Sequence, residues 1–128
     1  MRASRRILCV EDQADLLDDL VLELSDHGYR VEGCRDGHAA LALFSAERFD
    51  LIICDIQLPG MGGIELLNRV RQLPEERSEV PAIFLSAFGD PEVVRAGTAQ
   101  GAAAYFVKPV DYRDLLGSVD TIMRIGSD

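Results

Sequence analysis

Leu51-Ile52-Ile53-Cys54-Asp55-Ile56-Gln57-Leu58-Pro59-Gly60 is the stretch that decides the fold. An apolar run of strand-forming residues ends abruptly in one carboxylate, and a Pro-Gly turn follows at once. That is how a buried strand presents a single acid at its carboxyl end. In open parallel α/β sheets the crevice outside those ends is where ligands bind and chemistry is done. Asp55 is therefore the first candidate for a reacting group.

Two further runs converge on the same edge. Arg6-Ile7-Leu8-Cys9-Val10 stops at Glu11 and Asp12, so a second strand delivers two more carboxylates. Clustered acids repel one another unless a cation offsets them, and carboxylates, a carbonyl and waters form the all-oxygen ligand set that Mg2+ prefers. Near the C-terminus, Ala104-Tyr105-Phe106-Val107 leads into Lys108 and Pro109, a short apolar run ending in a fixed ammonium. Three acids, a metal and one lysine make a site for a phosphoryl group.

Working outward, the chain reads as five strand-helix units with no repeat and no long linker. Leu16, Leu17, Leu20, Val21 and Leu24 recur at helical spacing between Asp15 and His27, and Gly28 stops that helix. Tyr29 to Cys34 is a second strand. Asp36 and Gly37 start a helix through Ala40, Leu41, Leu43 and Phe44, and Gly62 and Gly63 open a third through Ile64, Leu67 and Val70, closed by the polar stretch 74–79. Val80 to Leu85 is the fourth strand. The fourth helix begins at Asp90 and Pro91 and reads as the weakest, because Gly97 in its interior costs about 1 kcal/mol relative to Ala. Asp111 caps a last helix through Leu115, Leu116, Val119 and Ile122. Strands alternating with helices imply a parallel sheet covered on both faces.

Composition bounds the function. At 128 residues and 48% hydrophobic, the chain is about one domain with a real core, read as 1–128 with the core at about 5–125 and no output domain. A net charge of −9 argues against a nucleic-acid-binding surface, which needs clustered Lys and Arg. Cys9, Cys34 and Cys54 fall in predicted strands without metal-ligand spacing and read as buried, reduced thiols of a cytoplasmic protein. Ser4-Arg5-Arg6 hints at a twin-arginine export signal, but the apolar run after it falls short of the roughly 7 to 15 residues such a signal needs. Nothing is long enough to span a membrane.

Taken singly, these residues have ordinary explanations: Asp55 as a turn-capping acid, Lys108 as a solvated lysine, Tyr105 as a strand-edge aromatic, Ser86 as a partner of local backbone. Gly60-Met61-Gly62-Gly63 lacks the Gly-Lys-Ser/Thr of a nucleotide-binding loop and reads as turn chemistry. His27 and His38 have no partner at metal spacing.

Together, the residues resemble the receiver domain of two-component response regulators. The acidic pair is Glu11-Asp12, the acceptor Asp55 followed by Leu58-Pro59-Gly60-Met61, the hydroxyl Ser86 with Ala87 after it, the switch aromatic Tyr105, and the lysine Lys108 before Pro109. The resemblance covers nearly the whole chain and implies a flavodoxin-like (βα)5 fold, strand order 2-1-3-4-5. It implies that Asp55 takes a phosphoryl group from a histidine kinase or histidine phosphotransfer protein as an acyl phosphate. Mg2+ would be held by Asp12, Asp55 and the Gln57 backbone carbonyl, with Glu11 direct or through water. Ser86, Ala87 and Lys108 would bind the phosphoryl oxygens. Ser86 and Tyr105 would switch the face made by the fourth helix, fifth strand and fifth helix, addressing a downstream effector, a fused output domain or a second copy of the chain. Gln57 and Phe88 would border the path of the water that hydrolyses the product. Glu11 and Gly62 depart from the commonest residues of the pattern.

Two other classes stand beside this expectation. An aspartate-nucleophile phosphohydrolase usually carries a second acid two residues after its nucleophile, where this chain has Gln57, an amide unable to serve as general acid. A receiver-like module that is never phosphorylated would keep the fold without the chemistry.

Overall fold

The computed structural model describes residues 5–87, 91–99 and 101–125. Strands β1 (Arg6–Val10), β2 (Arg30–Cys34), β3 (Leu51–Asp55), β4 (Ala82–Ser86) and β5 (Ala102–Val107) pair in parallel in the order β2-β1-β3-β4-β5. The helices between and after them are α1 (Ala14–Asp26), α2 (Gly37–Ala46), α3 (Gly63–Val70), α4 (Pro91–Ala99) and α5 (Tyr112–Ile125). This is the doubly wound (βα)5 architecture expected from the sequence. One addition lies in the polar stretch 74–79, where Glu75–Ser78 forms a single helical turn between α3 and β4.

The period of two along each strand sorts the core into two layers. Leu8, Val10, Ile52, Cys54 and Phe84 face Ala40 and Phe44 of α2 and Leu66, Leu67 and Val70 of α3. Ile7, Cys9, Leu51, Ile53, Ile83 and Leu85 face Leu17, Leu20 and Leu24 of α1 and Leu115, Val119 and Met123 of α5. Strands β3 and β4 are buried along their whole length. Hence they read as unbroken apolar runs, with Ser86 and Asp55 at their ends as exceptions.

Local chemistry sets the ends. The Asp36 carboxylate caps α2 by accepting the Ala39 N–H at 2.8 Å, and Asp111 Oδ1 accepts the N–H groups of Arg113 and Asp114 at the start of α5. The expected cap at Asp90 lies outside the described residues. Gly28, at φ 102°, follows α1 in the left-handed region that favours glycine.

Two expectations need correction. Gly97 does more than weaken α4: it is buried, and a Cβ there would come within 2.9 Å of the Phe84 ring, so glycine is what lets α4 lie down on β4. Cys34 is only half-buried, unlike Cys9 and Cys54, because β2 is an edge strand. All three thiols are free, and burial raises each pKa, that of Cys34 to about 11.

One irregularity positions a side chain. Between the pairs Ala82↔Ala102 and Ile83↔Ala104, β5 carries an extra residue, Ala103. The bulge reverses the alternation, so Tyr105 pairs with Phe84 and packs into the α2/α3 layer while Phe106 turns to the other.

Candidate functional site

The strand order places β1 beside β3, with β2 leaving to one side and β4 to the other. The crevice at their carboxyl ends is the topological switch point of the sheet. Glu11 and Asp12 leave β1 there, and Asp55 ends β3. One carboxylate oxygen from each of the three lies within 4.8 Å of the others. The Glu11 side chain is fully buried, and Asp55 is 3% exposed.

Lys108 answers this concentration of charge. Its Nζ lies 2.6 Å from Asp55 Oδ2 and 2.7 Å from Glu11 Oε1, and 3.5 Å from Gln13 Oε1. Burial pushes the Glu11 carboxyl above the usual carboxylate range; Lys108 and the Gln13 N–H oppose this, and the Asp55 charge adds to it. For Lys108, burial works against the ammonium, yet hydrogen bonds and attraction from Asp55 and Glu11 prevail and hold its pKa above the ordinary value. The Lys108 backbone is fixed as well, since its N–H donates to the Ser86 carbonyl at 2.7 Å, across the ends of β4 and β5. The Lys108-Pro109 peptide bond is cis.

Asp55 is held at both oxygens. Oδ1 accepts the Gln57 N–H at 2.9 Å and Oδ2 meets Lys108. After it the chain turns through Gly60, at φ 77°, anchored by buried Leu58 and Met61, and returns so that Gly63 N–H donates to the Ile56 carbonyl. A Cβ on Gly63 would overlap the Asp55 carbonyl oxygen, so this glycine permits α3 to start against the acid's own backbone.

The structure brings together Glu11, Asp12, Asp55 and Lys108 as expected. Ser86 lies at the end of β4, 2% exposed, one step beyond the pair Asp55↔Leu85. Ala87 follows it, exposed. Tyr105 is half-buried two residues below the end of β5, and Gln57 is exposed just after Asp55. Phe88 lies outside the described residues. Two participants were not legible beforehand. Gln13 donates its N–H to Glu11 Oε2 at 3.0 Å and turns its amide oxygen to Lys108. Arg35 reaches the Asp12 carbonyl from the end of β2. Neither has a spacing signal; Arg35 is found only once β2 is known to lie beside β1, and Gln13 only once Lys108 is known to reach the end of β1.

Three hard carboxylate ligands in one crevice, with an ammonium bridging two of them, fit a small divalent cation such as Mg2+. A cleft of about 490 Å³ opens beside Lys108, lined by Gln13, Leu16, Asp19, Pro109, Val110 and Tyr112.

Comparison with known proteins agrees with this geometry. Residues 7–120 match the family model described as the response regulator receiver domain. The chain is 35% identical over 121 residues to the transcriptional activator protein PfeR of Pseudomonas aeruginosa, covering 94% of this chain and 38% of that one. It is 36% identical over 119 residues to the response regulator ArlR of Staphylococcus aureus, covering 93% and 52%. It thus spans about two-fifths to one-half the length of these relatives. The chemotaxis protein CheY4 of Vibrio cholerae superposes with a TM-score of 0.87 at 33% identity, covering 94% of this chain and 99% of that one.

Proposed function

The chain belongs to the response regulator receiver domain family, and from that premise we propose that it is a phospho-accepting signalling domain with Asp55 as the acceptor. The observation that carries the reading is the meeting of Glu11, Asp12 and Asp55 within 4.8 Å at the switch point, with Lys108 bridging Glu11 and Asp55. A carboxylate oxygen of Asp55 attacks the phosphorus of a phosphohistidine on a sensor kinase or phosphotransfer protein. The P–O bond forms as the P–N bond breaks, and the bonding pair leaves with the imidazole.

Asp12, Asp55 and the Gln57 carbonyl would hold Mg2+, with Glu11 direct or through water. Bound there, the cation would supply positive charge to offset that of the phosphoryl oxygens. Lys108 moves its ammonium from Asp55 Oδ2 to a phosphoryl oxygen, a short transfer because its backbone is pinned to Ser86. The Ser86 hydroxyl and the Ala87 N–H bind the remaining oxygens. Gln57 and Phe88 set how readily water reaches the acyl phosphate.

The output follows from the same contacts. Ser86 drawn toward the phosphoryl group moves the end of β4; α4 rests on that strand through Gly97 and Phe84, and Tyr105 packs against the same layer. The α4-β5-α5 face is the surface that changes, toward an effector, an output domain or a second copy. Free thiols at Cys9, Cys34 and Cys54 suit a reducing cytoplasm. Among the described residues no helix is long and apolar enough to cross a membrane.

Intact-protein mass after incubation with a small-molecule phosphodonor and Mg2+ tests the acceptor. A labile single phosphoryl adduct on the wild type, absent from Asp55→Asn, is expected. No adduct on a wild type that binds Mg2+ would leave a receiver-like binding module instead. Ser86→Ala is expected to keep the adduct and weaken the response of partner binding to it.

A further inference from the structure

We propose that Arg35 is a positioning residue for the two β1 acids, acting through the single peptide group that joins Asp12 to Gln13. Its guanidinium donates from Nη2 at 2.8 Å and from Nε at 3.2 Å to the Asp12 carbonyl oxygen. The N–H at the other end of the same peptide group, that of Gln13, donates to Glu11 Oε2 at 3.0 Å. A peptide group is planar, so fixing its oxygen fixes the direction of its N–H. The two hydrogen bonds also run in one sense, from guanidinium to carbonyl and from N–H to carboxylate, and polarise each other.

The clamp is built on a rigid support. Arg35 stands between Cys34, whose carbonyl accepts the Glu11 N–H at 3.1 Å, and Asp36, whose side chain caps α2. The end of β2 therefore holds the backbone of Glu11 and the carbonyl of Asp12 together. The Asp12 carbonyl precedes the first intrahelical acceptor of α1, the Gln13 carbonyl that takes the Leu17 N–H, so the helix itself supplies it with nothing. Without the fork, the Asp12-Gln13 peptide is free to turn. It would then release Glu11 Oε2 and redirect the Asp12 side chain that leaves the same backbone.

The inference rests on the reading of Glu11, Asp12 and Asp55 as a Mg2+ site, and the two are separable. Mg2+ binding is measured by calorimetry for the wild type, Arg35→Ala and Arg35→Lys, alongside melting temperatures without Mg2+ and phosphoryl adduct formation at saturating Mg2+. Lysine keeps the charge and loses the planar fork. Both variants are expected to bind Mg2+ about 10-fold more weakly, the lower bound for lost outer partners of metal ligands. Their adduct at saturating Mg2+ should match the wild type, and their Mg2+-free melting temperature should fall by only a few degrees, about what one lost hydrogen bond accounts for.

Wild-type or tighter Mg2+ binding by Arg35→Ala overturns the proposal, as does full restoration by Arg35→Lys, which would make charge alone the contribution. A Mg2+-free melting temperature that falls by more than roughly 10 °C in both variants overturns it too, in favour of a general role in loop stability. A wild type that binds Mg2+ but takes up no phosphoryl group would sink the acceptor reading and leave the Arg35 assignment standing.

Discussion

Gly97 of α4 lies against the ring of Phe84 so closely that a methyl group in its place would sit 2.9 Å from the ring carbons. Helix propensity alone makes Gly97→Ala favourable by about 1 kcal/mol. Overpacking a filled contact typically costs ~1–3 kcal/mol, and here packing is expected to win. Urea denaturation should find Gly97→Ala less stable than the wild type, with Phe84→Leu in the same chain recovering most of the loss. A more stable Gly97→Ala would mean that α4 lifts off β4 freely.

Lys108 is the counter-ion of two buried carboxylates. Removing one partner of a buried ion pair costs ~3–5 kcal/mol, so Lys108→Met should lose about that much without Mg2+. Added Mg2+ should raise the melting temperature of the variant more than that of the wild type, because the metal replaces the missing charge. Equal Mg2+-induced shifts in the two proteins would contradict this.

The pH dependence of Mg2+-free stability should carry the mark of Glu11. Burial raises its pKa in the folded protein above that of the unfolded chain, so between those two values the folded state binds more protons. Its contribution is greatest below the unfolded pKa and is lost as pH rises through the folded one. Lys108, also raised, contributes fully below its unfolded pKa of about 10.4 and loses that contribution as pH climbs through its folded pKa. Denaturant midpoints measured from pH 4 to 8 should fall less steeply in Glu11→Gln than in the wild type; parallel curves would rule Glu11 out as the source.

At the opposite end of the molecule, Asp120 of α5 accepts the Tyr29 hydroxyl and lies 2.9 Å from His27 Nε2. Burial raises its pKa, but the hydrogen bonds and charge from Tyr29 and His27 prevail and hold it below the ordinary value. The stability it supplies is present above the unfolded pKa of about 3.9 and is lost as pH falls through the depressed folded value. Asp120→Ala is expected to cost about 1 kcal/mol at neutral pH, and the difference from wild type should shrink in acid.

The sequence revealed those parts of the fold in which one residue type has one physical meaning. Ile52 and Ile53 before Asp55, and Leu8 and Val10 before Glu11, announced buried strands with acids at their ends, and Gly28 and Asp36 marked helix boundaries. What it hid depends on neighbours distant in the chain. Gly97 looked like a weak point because Phe84, thirteen residues earlier, is invisible to helix propensity. Arg35 gave no signal until β2 was placed beside β1, and Gln13 none until Lys108 was seen to reach it. His27 carried no signal of its pairing with Asp120, ninety-three residues away.

The extra residue Ala103 makes the handedness of β5 a matter of counting. Partners in neighbouring strands face the same side, so a slip of one position against β4 would take Tyr105 from its place opposite Phe84 and exchange the sides on which it and Phe106 lie. A chimaera that grafts this strand and α5 onto a relative must therefore carry the whole segment from Ala102. Spliced so that the register slips by one, it would turn its tyrosine away from the layer of α2 and α3 and carry Lys108 one position along from its place beside Ser86.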